Sequence, residues 1–149
     1  MKGGYLIYYC RILLVLALVF VFRVAAQFFQ AFDLVSFLPP FDDWYSGALA
    51  YPFLLASQLI IILILVKTTW ALYAGKVVPS HSYGRVLIII GGSYFSVMLG
   101  RLLLGLFYFS NHSWFGATIP TVFHLALASF IIVFGHYHFY LGTKPNASK

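Results

Sequence analysis

Four apolar stretches, each about as long as a lipid bilayer is thick, leave this chain few folds to choose from. A spanning helix needs about 20 mostly apolar residues. The stretches run roughly over 6–29, 48–66, 86–109 and 121–141, and the first holds a wholly apolar run from Ile12 to Phe22. Short connections make sequential helices antiparallel neighbours. The spacing therefore predicts one all-α domain over residues 1–149, an integral membrane, antiparallel four-transmembrane-helix bundle with a flexible tail over 142–149.

Composition closes off the soluble alternatives. The chain is 62% hydrophobic and 8% charged, against about 45–50% apolar and about 25% charged in an ordinary soluble domain. Lipid must be the solvent for most of its surface. Asp33, Asp42 and Asp43 are the only carboxylate side chains, so a buried carboxylate cluster of the di-iron type has no raw material. Cys10 is the single cysteine, which excludes an intrachain disulfide or a CxxC redox centre. The net charge of +6 is scattered at helix ends, an arrangement that suits membrane orientation and not nucleic acid.

The breaks between spans have recognisable chemistry. Leu38-Pro39-Pro40-Phe41-Asp42-Asp43 interrupts any helix between the first two spans. Pro52 suits a first helical turn. Gly75 to Gly84, Asn111 to Pro120 and Gly142-Thr143-Lys144-Pro145 read as two polar turns and a stop. Lys2, Arg11, Lys67, Lys76, Arg85, Lys144 and Lys149 lie at one set of helix ends, whereas the connections over 30–47 and 110–120 hold no Lys or Arg. This bias predicts both termini in the cytoplasm of a bacterial inner membrane or its equivalent. Tyr5, Tyr8, Tyr9, Trp70, Tyr73, Tyr137 and Tyr140 would form an inner aromatic belt, and Trp44, Tyr45, Tyr108 and Trp114 an outer one. The basic start and Val24-Ala25-Ala26 resemble a cleaved leader, but Phe20, Phe22 and Arg23 crowd the site, and an uncleaved first span is expected.

Ionisable groups inside a membrane are costly and turn toward protein. Arg23, Gln27 and Gln30 share one face of the first span by their i, i+4, i+7 spacing. Arg101 lies in the third span, roughly 12 Å below its end by helical rise, with Tyr94 and Tyr108 on the same face. His124 lies one turn inside the fourth span, and Gln58 lies in the second. Arg23, Gln27, Gln58, Arg101 and His124 are thus a candidate ligand-binding cluster in the outer half, with Asp33, Asp42 and Asp43 as ion-pair partners and the Asp42-Asp43-Trp44 turn as a lid. Such a cluster suits an anionic headgroup, a quinone carbonyl or a proton relay, or else a hydrogen-bonded lock.

No metal or cofactor is predicted. His124 and His138 are separated by roughly 21 Å of helical rise, the spacing of two stacked haems, but His81 and His112 fall in loops and no second helix supplies matching ligands. Gly92, Ser96 and Gly100 form a small-residue stripe suited to close approach of another membrane subunit or a second copy. Asn111-His112-Ser113 and Asn146-Ala147-Ser148 match glycosylation sequons. The leading functional expectation is a small, non-enzymatic accessory or lipid- or quinone-contacting membrane subunit. The alternative is a membrane enzyme or redox subunit using Arg23, Arg101 and His124. A transporter would need an oligomer to line a pore, since the polar residues gather at one depth.

Overall fold

The computed structural model describes residues 2–32, 34–45, 47, 49–108 and 117–142, and the side chains from residue 5 onward. Among them every regular element is helical: α1 (Lys2–Gln30), α2 (Phe41–Trp44), α3 (Tyr51–Tyr73), α4 (His81–Phe107) and α5 (Thr118–Leu141). Four of these, α1, α3, α4 and α5, are long and apolar enough to cross a membrane. Asp33, Trp114, His112, both sequons and the tail beyond Gly142 lie outside the described residues.

The helices are longer than their apolar runs. α3 continues past Val66 through Lys67-Thr68-Thr69-Trp70 to Tyr73. The Thr69 hydroxyl turns back to donate to the Leu65 carbonyl at 2.8 Å, and Thr69 and Leu72 are buried. α3 ends where the backbone turns left-handed at Gly75, φ 66°. There the Lys76 N–H reaches the Ala71 carbonyl and the Gly75 N–H reaches that of Leu72, each at 3.0 Å. This is the glycine-terminated cap that satisfies orphan carbonyls. α4 begins at His81, inside the stretch expected to be a loop.

α1 packs against both α3 and α5, and α4 packs against α5. The order in space is therefore α3, α1, α5, α4. The expectation that every sequential pair are neighbours fails for α3 and α4, which have no close backbone approach among the described residues. They border instead a groove of about 310 Å3 floored by Leu127, Phe130 and Phe134 of α5. The core runs along α1 through Leu13, Ala17, Phe20 and Val24, and joins Leu65 and Leu72 of α3 to Phe130 and Tyr137 of α5.

The tightest seam lies between α4 and α5. A Cβ on Gly84 would lie within clash distance of the Phe139 backbone nitrogen and 2.7 Å from the Gly135 carbonyl oxygen. One on Gly91 would lie 2.9 Å from Ile132, and one on Gly135 would lie 2.9 Å from the Leu87 Cβ. The small-residue stripe read from sequence faces elsewhere. A Cβ on Gly92 or Gly100 would meet nothing within 4 Å, and Ser96 is exposed, its hydroxyl bonded to the Gly92 carbonyl of its own helix.

The surface is the reverse of a water-soluble one. Large apolar side chains such as Leu18, Leu63, Val97 and Val122 are exposed on the long helices, while Arg23, Gln27, Gln58, Arg101 and Thr121 are buried. Three residues expected in aromatic belts, Tyr9, Trp44 and Tyr137, are also buried. Tyr9 and Tyr137 pack edge to face at 5.6 Å. The Tyr137 hydroxyl donates to the Val77 carbonyl at 3.2 Å, and Tyr9 shares a 2.6 Å hydrogen bond with His136.

Candidate functional site: a buried polar clasp

Two adjacent prolines set the demand that the clasp meets. Pro39 and Pro40 carry no N–H and cannot continue a helix, so the carbonyls around them need donors from elsewhere. The Gln30 amide supplies them, donating to the Leu38 carbonyl at 3.0 Å and to that of Pro39 at 2.6 Å. The Trp44 indole N–H adds a third donor, to the Pro39 carbonyl at 3.0 Å. The turn is thereby folded back over the end of α1. Its short helix α2 docks on α5, where Trp44 stacks on Phe123 at 6.2 Å.

Arg23 closes the clasp from below. Its Nη2 donates to the Trp44 carbonyl at 3.2 Å, and the residue is only 6% exposed. The expected partners Asp42 and Asp43 do not fill this role. Both are exposed, and the arginine meets the turn's backbone instead. The reason is geometric: the first turn of α2 points its acids outward, while its last carbonyl faces α1. Asp33, the third expected partner, falls outside the described residues.

One turn further along α1, fully buried Gln27 accepts a 3.2 Å hydrogen bond from the Gln58 amide of α3. Four neighbouring polar atoms, Arg23 Nε, Gln27 Nε2, Gln58 Oε1 and Tyr51 Oη, are buried and make no hydrogen bond among the described residues. Tyr51 and Gln58 are seven residues apart on one face of α3, opposite Arg23 and Gln27, and Arg23 lies near enough to Tyr51 for its charge to act there. Two of these atoms, Arg23 Nε and Gln27 Nε2, are donors, the other two belong to groups able to accept, and all four are closed off from solvent.

The other half of the site is on α4 and α5. The Tyr94 hydroxyl and His124 Nδ1 are 2.6 Å apart. The charges of Arg23 and Arg101 both reach His124, and that of Arg101 reaches Tyr94. Arg101 is 6% exposed and has a partner. Hydrogen bonds thus tie Arg23 to the Trp44 carbonyl and Gln58 to Gln27, while His124 pairs with Tyr94 at a position near both arginines. The bonds of Gln30, Trp44 and Arg23 hold the connecting turn over α1, that of Gln58 ties α3 to α1, and the Tyr94–His124 pair ties α4 to α5.

Trp44, Gln30, Tyr51 and Tyr94 complete the site. Trp44 reads in sequence as an interfacial ring, yet the Pro-Pro pair beside it already signals carbonyls in need of donors. Tyr94 stands seven residues from Arg101, a spacing that places both on one face of α4.

Among the described residues, three further histidines, His81, His136 and His138, lie at the far end. His138 is buried, and its Nδ1 accepts the Ser80 N–H at 3.2 Å. In the neutral ring, Nε2 then carries the proton and presents a donor, not a ligating lone pair. His81 Nδ1 lies 2.9 Å from the Phe139 carbonyl, so this histidine caps the α4–α5 seam from within a helix. Among the described residues no group of three or more His, Cys, Asp or Glu side chains gathers to hold a metal ion. No family model, curated protein or solved structure matches this chain.

Proposed function

We propose that this chain is a small multi-pass integral membrane protein of the bacterial inner membrane type, an antiparallel four-helix bundle with both termini in the cytoplasm. It acts without catalysis, as an accessory or lipid-contacting subunit. The observation that carries this reading is the inverted distribution of polarity, with apolar side chains outside and two arginines and three glutamines buried inside. Lipid is the solvent in which that distribution is stable.

The clasp serves this role by positioning a surface. The turn it holds presents Phe32, Leu34 and Phe37, the last 87% exposed, at the same end as exposed Phe53, Phe107 and Tyr108. This apolar rim sits at the outer interface, where aromatic rings favour the headgroup level. The open stripe of Gly92, Ser96 and Gly100 offers a second surface, suited to another membrane subunit or a second copy.

Topology is tested with reporter fusions. A reporter after Lys149 is expected to read cytoplasmic, and one inserted within 42–47 to read external. Equal signals at the two positions would remove the orientation.

A second reading has one observation in its favour. The Tyr94–His124 pair, lying in the field of two arginines, is a hydroxyl–imidazole unit of the kind that relays protons. A membrane enzyme or redox subunit would use Arg23, Arg101 and His124 there, with a quinone or haem nearby. The accessory reading predicts that purified protein shows no visible absorption and no co-extracted quinone. A haem band or a stoichiometric quinone would favour the redox reading.

A further inference from the structure

A groove of about 490 Å3 runs between α1 and α3, at the end where α1 begins and α3 finishes. Its size falls within the ~300–1,000 Å3 of ordinary ligand pockets. Leu14, Leu18 and Val21 of α1 form an apolar track along it, and among the described residues Arg11 is the one charged side chain in its lining. Trp70 and Tyr73 stand opposite, both exposed, with ring centroids 6.1 Å apart. The groove spans Ile7 to Val21 on α1, about 21 Å by helical rise. One leaflet contributes about half of a ~30 Å hydrocarbon core, so the track is long enough for a single acyl chain. Val21 also borders a second apolar groove of about 300 Å3 between the same helices, which extends the track.

Charge selects the headgroup. The only carboxylate side chains, Asp33, Asp42 and Asp43, belong in sequence to the connection after the opposite end of α1. The groove's end has Arg11, Lys67, Lys76 and Arg85 and no acid. The Thr69 hydroxyl, also in the lining, is already committed to the Leu65 carbonyl. What the lining leaves to be met is a negative charge at its lip and a hydrocarbon chain along its floor.

We infer that this groove holds one acyl chain of an anionic phospholipid, its phosphate against Arg11 and its glycerol level with Trp70 and Tyr73. The inference rests on the membrane reading above. The test is native mass spectrometry of the full chain, reconstituted into vesicles of equal parts phosphatidylglycerol and phosphatidylcholine and then released in detergent. The parent is expected to retain phosphatidylglycerol about fivefold over phosphatidylcholine, the scale of one basic residue at an anionic surface. Arg11→Gln brings the ratio to parity, and Arg11→Lys keeps it. Arg85→Gln, an exposed position at the same end and outside the groove, also keeps it. Leu18→Trp, an exposed lining position, lowers retention of both lipids. Equal retention by the parent, or an equal loss in Arg85→Gln and Arg11→Gln, would overturn the site in favour of diffuse attraction. Flotation with the vesicles separates the two readings: a chain that floats but shows no preference removes only the groove, and a chain that fails to float removes the membrane assignment with it.

Discussion

Gly84→Ala is expected to destabilise the protein by about 2–3 kcal/mol, as overpacking of a closed contact does, while Gly92→Ala and Gly100→Ala leave it unchanged or more stable. The methyl group at Gly84 would run into the backbone nitrogen of Phe139 and the Gly135 carbonyl. Backbone atoms cannot step aside as a flexible side chain can, so α4 and α5 must part along their whole seam. At Gly92 and Gly100 the same methyl meets open space, and alanine is the better helix former by about 0.8–1.0 kcal/mol. Thermal melts in one detergent would rank the three variants. A Gly84→Ala protein as stable as the parent would mean that the α4–α5 approach is looser than described.

The second large effect is expected at the Gln27–Gln58 pair. Gln27→Leu leaves the Gln58 amide buried without its acceptor, and Gln58→Leu strands Gln27 in the same way. An unsatisfied buried polar group costs about 1–3 kcal/mol. Each single variant should therefore lose that much, whereas the double variant Gln27→Leu with Gln58→Leu replaces both amides by apolar groups and should recover most of the loss. A double-mutant cycle read by denaturation in detergent gives the coupling directly. Additive losses would show that the two glutamines do not act on each other.

The four long helices were legible because each carries an apolar run long enough to cross a membrane, and no other stretch of the 149 residues does. Helix ends were less legible. Lys67-Thr68-Thr69 ends an apolar window but not a helix, since Thr69 and Leu72 beyond it are buried by packing. The same holds for His81 and Ser82, which begin α4 rather than precede it.

Which face of a helix meets another was not legible at all. Gly84 and Gly91 repeat every seven residues and Gly92, Ser96 and Gly100 every four, and both spacings place small residues on one face. In a soluble helix the polar side would decide between them. Here the outward-facing and helix-facing sides are equally apolar, so the pattern carries no direction. The burial of Arg23, Gln27, Gln58 and Arg101 was easier to foresee, because polar groups on an otherwise apolar helix turn toward protein. Their partners were harder. The acids looked like natural counter-charges for Arg23, yet the Pro-Pro turn offers its carbonyls at closer range, and the acids remain at the surface.

The claim on which the rest depends is that lipid covers the exposed apolar faces at the middle of the long helices. Single spin labels at Leu18, Leu63 and Val97, three exposed positions near the midpoints of α1, α3 and α4, test it in reconstituted vesicles with Cys10 replaced by Ser. All three labels are expected to relax strongly with dissolved oxygen, which partitions into hydrocarbon, and weakly with a water-soluble nickel chelate. Strong relaxation by the chelate at the three positions would place those faces in water and contradict the membrane assignment.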